Sequence, residues 1–195
     1  MLEFKKLLRS GRIPRVHPNG FIQLDLNEEH SMRLHVWPLA ELPNRQKTNH
    51  PIHDHSFDMT SMVLTGKLVN ETLVFDVISM VGWTPHRTWP SYREYRGVKI
   101  GSEETILEPT GNYGLLSTAK RQHITTGQSY QVPAKTFHNS IAEGLTATLM
   151  SKLDGQPYNP RVLVPVGVEP DNDFRREQTK PEILWEQIEL ALAAC

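Results

Sequence analysis

Short segments in which apolar and polar residues alternate dominate this chain of 195 residues. Residues 20–26, 32–37 and 59–78 show the pattern, and further examples follow up to residue 153. A period of two places successive side chains on opposite faces of a β-strand. Glycine, proline and asparagine separate the segments, which predicts many short strands joined by turns. Such strands close into a sandwich or a barrel, so we expect an all-β domain.

Three stretches depart from this pattern. Residues 2–9 place four apolar residues on a helical stripe that Gly11 ends. Residues 180–194 have a proline in the first turn and apolar residues at helical spacing, which predicts a C-terminal helix. The least regular stretch, residues 82–103, holds two Trp, two Tyr and four basic residues. We interpret it as a lid or insertion, because long irregular stretches in compact domains are often functional.

Composition excludes several classes of protein. The single cysteine, Cys195, rules out a disulfide framework and a Cys-based zinc cluster, and no role for it follows from the sequence. A formal net charge of −1 gives no footprint for nucleic acid, and no apolar run approaches the ~18 residues that span a membrane. The N-terminus lacks the pattern of a signal peptide, and a lone thiol fits a reducing compartment, so we expect a cytoplasmic protein.

A cluster of histidines is the clearest candidate for chemistry. His50, His53 and His55 lie within six residues. Residues i and i+2 of a strand point to the same face, so His53 and His55 can bind one metal ion. A mononuclear site needs a further ligand, and His138 offers one. His50 is expected in a loop, and Asp54 points to the opposite face, where it is either solvated or supports the ligands.

Two stretches resemble the paired motifs of the cupin superfamily. Residues 53–66 (HDHSFDMTSMVLTG) have the H-x-H pair and the closing glycine of the first motif, and residues 127–138 (GQSYQVPAKTFH) have the glycine, proline and histidine of the second. The resemblance implies a double-stranded β-helix, or jelly-roll barrel, over about residues 20–165. Residues 1–19 would then be an N-terminal helical extension, and residues 166–195 a C-terminal strap and helix.

The chain departs from the cupin motif where a glutamate usually completes the metal ligands, because this position is Met59. A soft thioether is a poor ligand for Fe(II), so we expect Met59 to line the site. The predicted metal ligands are therefore His53, His55 and His138. The stretch IHDH followed by GKLVNETLVF resembles cysteine dioxygenase and related thiol dioxygenases, whose iron sites also have three histidines. Residues 146–153 do not carry the Ser-x-His-x-Tyr set of that family.

Four further side chains are candidates for the substrate pocket besides Met59. Arg33 and His35 share one face of the segment 32–37. If the apolar residues between them pack outward under a helix, Arg33 points into the barrel and can bind a substrate carboxylate in a bidentate pair. An exposed arginine on an edge strand is the alternative. Tyr113 and Tyr130 either line the pocket or belong to the ordinary core.

The resemblance implies a mononuclear non-haem Fe(II) dioxygenase that acts with O₂ on a small metal-chelating organic substrate. Mn, Ni, Cu and Zn are alternative metals, and no catalytic residue beyond the ligands follows from the sequence. Two other functions stay open: a non-redox metal-dependent cupin, such as an isomerase or lyase, and a cupin that binds a small molecule without catalysis. A homodimer is expected by analogy, and neither nucleic acid nor a membrane is expected as a partner.

Overall fold

The computed structural model describes residues 11–39, 42, 50–78, 91–100, 104–153, 155, 157–170 and 179–195. Within these ranges the chain forms nine β-strands and one α-helix. In chain order they are β1 (Arg15–Val16), β2 (Ile22–Asp25), β3 (Met32–Trp37), β4 (Asp58–Ile78), β5 (Ser91–Ile100), β6 (Glu104–Thr125), β7 (Ser129–Val132), β8 (Phe137–Leu153), β9 (Arg161–Pro165) and α1 (Pro181–Ala193). The predicted all-β class is confirmed.

Two long antiparallel strands, β4 and β8, connect the two halves of the molecule. Residues 58–65 of β4 pair with residues 147–153 of β8, in a sheet that continues through β3 and β2 to β1. The short strand β7 also pairs with this half of β4. Residues 67–73 of β4 pair with residues 137–143 of β8, in a second sheet that continues from β4 through β6 and β5 to β9.

The second sheet closes through the segment that carries the H-x-H pair. His53 pairs with His138 at the start of β8 on one side and with Val162 of β9 on the other. The backbone hydrogen bonds between His53 and His138 are 2.9 and 3.2 Å long. The neighbours therefore form a ring in the order His53 segment, β8, β4, β6, β5 and β9. This closed antiparallel barrel is the double-stranded β-helix that the cupin resemblance implies.

Helix α1 covers the outer face of β2 and β3. Its buried side chains, Leu184, Ile188 and Ala191, belong to one apolar cluster with Ile22, Leu24, Leu34 and Val36. Each buried aliphatic side chain contributes about 1.5–3 kcal/mol to such a cluster. Because alternate residues of β3 pack outward under the helix, the residues between them face the interior of the barrel. The sequence predicted that Arg33 faces the barrel interior if its apolar neighbours pack outward under a helix, and they do so.

The closing glycine of the first motif lies where β4 passes from one sheet to the other. The pairing of β4 with β8 changes register between Val63 and Thr65 and again between Thr65 and Lys67. Gly66 has a φ of 84°. A Cβ at this position would lie 2.3 Å from the carbonyl oxygen of Leu145. Glycine alone meets both the positive φ and the close approach of the two backbones.

Part of the stretch that the sequence assigned to a lid over residues 82–103 is a strand instead. Residues 91–100 form β5, which lies in the barrel wall between β6 and β9. The pairing with β6 shifts register between Arg93 and Tyr95, and the charged Glu94 is buried. These two features interrupt the alternation of apolar and polar residues, and so they hide the strand in the sequence. The rest of the predicted lid lies outside the described residues.

The N-terminal extension needs a similar correction. Residues 15–16, which the sequence placed in a helical extension over residues 1–19, form β1 and pair with β2. The guanidinium of Arg15 binds Asp25 across this pair, which favours the sheet. The helix predicted over residues 2–9 lies outside the described residues. Among the helices that the structure describes, none is both long and apolar enough to cross a membrane.

We expect Gly66→Ala to lower the free energy of unfolding by about 3 kcal/mol or more, because the methyl group would meet a backbone carbonyl and the φ would be strained. The control is Gly127→Ala, at a φ of 82° with nothing within 4 Å of the added methyl group. Backbone strain alone should then lower stability by about 1 kcal/mol. Urea denaturation of both variants measures the difference, and equal destabilisation would contradict the role given to Gly66.

Candidate metal centre

His53, His55 and His138 come together where the barrel closes. Their ring centroids lie 4.5 Å apart for His53 and His138, 4.8 Å for His53 and His55, and 4.9 Å for His55 and His138. One nitrogen atom from each ring lies within 4.8 Å of those from the other two. Three neutral imidazoles grouped in this way are a common ligand set for a transition metal.

Backbone hydrogen bonds fix the main-chain positions of the three histidines. His138 is the second residue of β8 and is paired with His53 through two hydrogen bonds. The carbonyl of His55 accepts a hydrogen bond of 2.8 Å from the backbone N–H of Lys135. Both histidines of the H-x-H pair are thus tied to the chain that leads into His138. The three rings share one side because residues 53 and 55 have the same phase in an extended segment.

A hydrogen bond to the backbone selects the tautomer of His53. Its Nδ1 lies 2.8 Å from the carbonyl oxygen of Pro51. A carbonyl oxygen can only accept a hydrogen bond, so Nδ1 carries the proton and is the donor. Nε2 then keeps its lone pair, which is the arrangement that metal-binding histidines show. The side-chain amide nitrogen of Asn19 lies 3.3 Å from the same Nδ1, so Asn19 also contacts this ring.

Burial keeps all three imidazoles neutral. Desolvation lowers the pKa of His53, and it lowers the pKa of His138 to about 3. For His55, desolvation again comes first, and the neighbouring His53 and His138 lower the pKa further. Neutral imidazole is the form that binds metal, so no proton has to leave before an ion enters at neutral pH. Nδ1 of His138 is also buried without a hydrogen-bond partner. These features fit a metal ion.

The three histidines line a cavity of about 390 Å³. Arg33, His35, Met59 and Tyr130 also line it, and all four were predicted as pocket residues. Met59 is 5% exposed and packs in an apolar cluster with Tyr130. This position agrees with a residue that fills the wall beside the histidines.

The fifth predicted pocket residue, Tyr113, does not line this cavity. Its partner on β4 is Ile78, whereas the partner of His138 on β4 is Thr72. Six residues of strand separate these partners, which corresponds to about 20 Å. β6 is 22 residues long and extends well past the histidines, and the sequence does not show which of its residues lie level with them.

Aromatic rings that the sequence analysis missed form another part of the wall. Phe21 stacks on His17 with a centroid distance of 4.3 Å and an interplanar angle of 7°. It also lies 4.5 Å from His35 and 4.9 Å from Trp37. Phe57 stacks on His55 at 4.7 Å. No motif marks the turn before β2 as part of a site, because tertiary pairing of β2 with β3 brings it there.

Arg33 gives the cavity its charge. Its Nε donates a hydrogen bond of 2.7 Å to Asp25, which also pairs with Arg15 and His30. Burial opposes ionisation of Asp25, but the two arginines outweigh it and hold the pKa of Asp25 below its usual range. Two guanidinium groups on one carboxylate leave one positive charge. Among the described lining residues, Arg33 is the charged one, and none is an aspartate or glutamate. The cavity therefore favours an anion.

Neither the scan of protein-family models nor the search of curated proteins finds a match to this chain. Solved structures with a similar fold include the cupin domain of Drosophila melanogaster CENP-C, at 8% identity and a TM-score of 0.38, covering 73% of this chain and 75% of that one.

Two enzymes show a similar degree of likeness. Hydroxypropylphosphonic acid epoxidase from S. wedmorenis has 14% identity and a TM-score of 0.38, covering 73% of this chain and 55% of that one. Hydroquinone 1,2-dioxygenase from Sphingomonas sp. TTNP3, with 4-hydroxybenzoate bound, has 13% identity and a TM-score of 0.37, covering 72% and 69%. These likenesses concern the fold alone.

The lowered pKa of His35 predicts a pH dependence of stability. Desolvation and the nearby Arg33 lower this pKa from 6.5 to about 3 in the folded protein. Between these values the unfolded chain binds more protons, so stability is full above pH 6.5 and falls on acidification. At pH 5, His35 alone lowers the free energy of unfolding by about 2 kcal/mol relative to neutral pH.

Urea denaturation of the metal-free protein at pH 7 and pH 5 measures this loss. We expect the loss to be smaller by about this amount in His35→Gln. The control His123→Gln changes an exposed histidine on β6 and should keep the wild-type loss. An undiminished loss in His35→Gln would contradict the prediction.

Proposed function

We propose that the protein is a mononuclear non-haem Fe(II) dioxygenase in which His53, His55 and His138 hold the metal. The observation that carries the proposal is the convergence of three neutral imidazoles, the one of His138 buried and the other two half-buried, on one cavity. Met59 stands beside them in place of a carboxylate, so ligand positions stay open for substrate and O₂. Bound iron would supply the electronic coupling that allows O₂ to react with an organic molecule.

The charge of the site supports a particular class of substrate. Three imidazoles leave both charges of a divalent ion uncompensated, and Arg33 adds a further positive charge at the cavity wall. No carboxylate lines the described part of the cavity. An anionic substrate would restore the balance by pairing with Arg33 and donating to the metal. We therefore propose a small organic acid that chelates the ion.

The side chains of the cavity would bind and orient this acid. The terminal nitrogens of Arg33 are suited to a carboxylate, since its Nε is already occupied by Asp25. Nε2 of His35 is buried without a hydrogen-bond partner and can bond a polar group of the substrate. Burial raises the pKa of Tyr130, so its hydroxyl keeps its proton and serves as a donor rather than a base. The aromatic wall excludes water from the reacting groups. A cytoplasmic location and a homodimer stay predictions.

Elemental analysis and O₂ uptake test the proposal together. Protein purified without a His-tag should contain iron or be loaded by Fe(II), and it should then consume O₂ with a member of a panel of thiols, diketones and phenolic acids. His138→Gln should lower metal affinity by more than about 100-fold, because it removes a ligand. O₂ uptake should disappear with it.

The control for this experiment is His123→Gln, on the exposed surface of β6, which should behave as the wild type. Turnover in the absence of O₂ would instead identify a non-redox isomerase or lyase with the same ligands. Binding of a small molecule that His138→Gln leaves unchanged would identify a binding protein. A wild-type chain that takes up no transition metal would refute the metal site.

The proposed role of Arg33 in substrate binding can be separated from its ion pair with Asp25. Arg33→Gln should raise the KM for an acidic substrate by about 10–100-fold, since a charged hydrogen-bond partner is lost, and should change kcat less. Arg15→Gln is the matched control, because Arg15 binds the same carboxylate but does not line the cavity. Similar KM values in the two variants would contradict the assignment.

A further inference from the structure

Asp54 lies between His53 and His55 and has an environment opposite to theirs. It is 0% exposed. Its Oδ1 accepts a hydrogen bond of 2.6 Å from the backbone N–H of Arg161. Its Oδ2 accepts from the Tyr158 hydroxyl at 2.6 Å and from Nε of Arg161 at 2.8 Å. Both oxygens are satisfied by donors in fixed positions, so Asp54 is part of a buried network and is not solvated.

The main chains of Asp54 and Arg161 are joined as well. The N–H of Asp54 donates to the carbonyl of Arg161 at 3.0 Å. His53, the residue before Asp54, forms a β-bridge with Val162, the residue after Arg161. The H-x-H segment is thus attached to the first residue of β9 by backbone and side-chain bonds together. A movement of Arg161 would move both ligands of the pair.

The same guanidinium reaches the segment that carries the other predicted ligand. Its Nη2 donates to the carbonyl of Lys135 at 3.3 Å. Its central carbon lies 4.6 Å from the ring centroid of Phe137, the residue directly before His138. Arg161 therefore contacts the H-x-H segment and the approach to His138 on the side away from the cavity.

Glu94 anchors the guanidinium to the barrel wall. Nη1 of Arg161 donates to Oε1 of Glu94 at 2.8 Å. The other carboxylate oxygen of Glu94 accepts from Thr110 at 2.9 Å and from Asn112 at 2.7 Å. An arginine has donors in a fixed, planar fork, which a lysine lacks. The fork is what allows one side chain to bind Asp54, Glu94 and a backbone carbonyl at the same time.

We propose that the Asp54–Arg161 pair is the positioning element of the metal centre. It holds the segment of His53 and His55 at a set distance from His138, and so it determines how tightly the three histidines bind a divalent cation. The inference rests on the proposed metal site and assigns no contact with the ion to either residue. Outer groups of this kind commonly change metal affinity by about 10–100-fold when they are replaced.

The test is the affinity of the full-length, metal-free protein for Co(II), measured by competition with a chelating dye. The visible spectrum of bound Co(II) reports the coordination geometry. We expect Asp54→Asn and Arg161→Lys each to weaken binding by about 10–100-fold and to change the spectrum. Arg161→Lys keeps the charge, so its effect isolates the loss of the fork. The control Arg96→Lys changes an exposed pair with Glu108 on the same sheet and should leave both readouts as in the wild type.

Thermal unfolding of the metal-free variants separates positioning from stability. Wild-type affinity and an unchanged spectrum in folded Asp54→Asn and Arg161→Lys would overturn the inference, whatever their Tm. If neither variant folds, Tyr158→Phe removes a single hydrogen bond from Asp54: weaker Co(II) binding supports the inference and wild-type binding overturns it. Wild-type protein that binds no Co(II) is a different outcome, because it would refute the proposed metal site itself.

Discussion

The backbone pairing of His53 with strands on both sides is the constraint on which the rest of the structure depends. It joins β8 to β9 and so converts an open sheet into a closed barrel. It also brings His138 to the H-x-H pair, although 83 residues separate it from His55. Closure shields the backbone hydrogen bonds and the imidazoles from water, which strengthens the bonds and keeps the rings neutral. The same pairing therefore closes the barrel and brings the three histidines together.

The two faces of that closing segment have opposite electrostatics. Toward the cavity it presents the neutral rings of His53 and His55. Toward the wall it presents Asp54, which joins Arg161 and Glu94 in a buried network with two carboxylates and one guanidinium. The network's net negative charge lies behind the histidines, while the cavity in front has Arg33 and no described carboxylate. A cation bound at the histidines would be attracted by the negative network behind them. An anion in the cavity would be attracted by Arg33.

The features that depend on local periodicity were predictable from the sequence. The shared phase of Arg33 and His35 and the apolar spacing of α1 are of this kind. Features that depend on register were not. A register shift in the pairing of β5 interrupts its alternation, so the strand was not predicted. Because β6 is 22 residues long, its sequence does not show how far Tyr113 lies from the histidines. Arg161 lies 107 residues from its partner Asp54, a separation at which no local sequence pattern indicates the contact.

Carboxylate–guanidinium pairs restrain side chains both at the cavity wall and behind the histidines. Asp25 holds Nε of Arg33, and Arg33 lines the cavity. Asp54 and Glu94 hold Arg161, which fixes the segments that carry the histidines. A flexible arginine would lose side-chain entropy on binding, whereas one already held by a carboxylate loses little. The same kind of ion pair therefore restrains Arg33 at the cavity and the backbone segments that carry the three histidines.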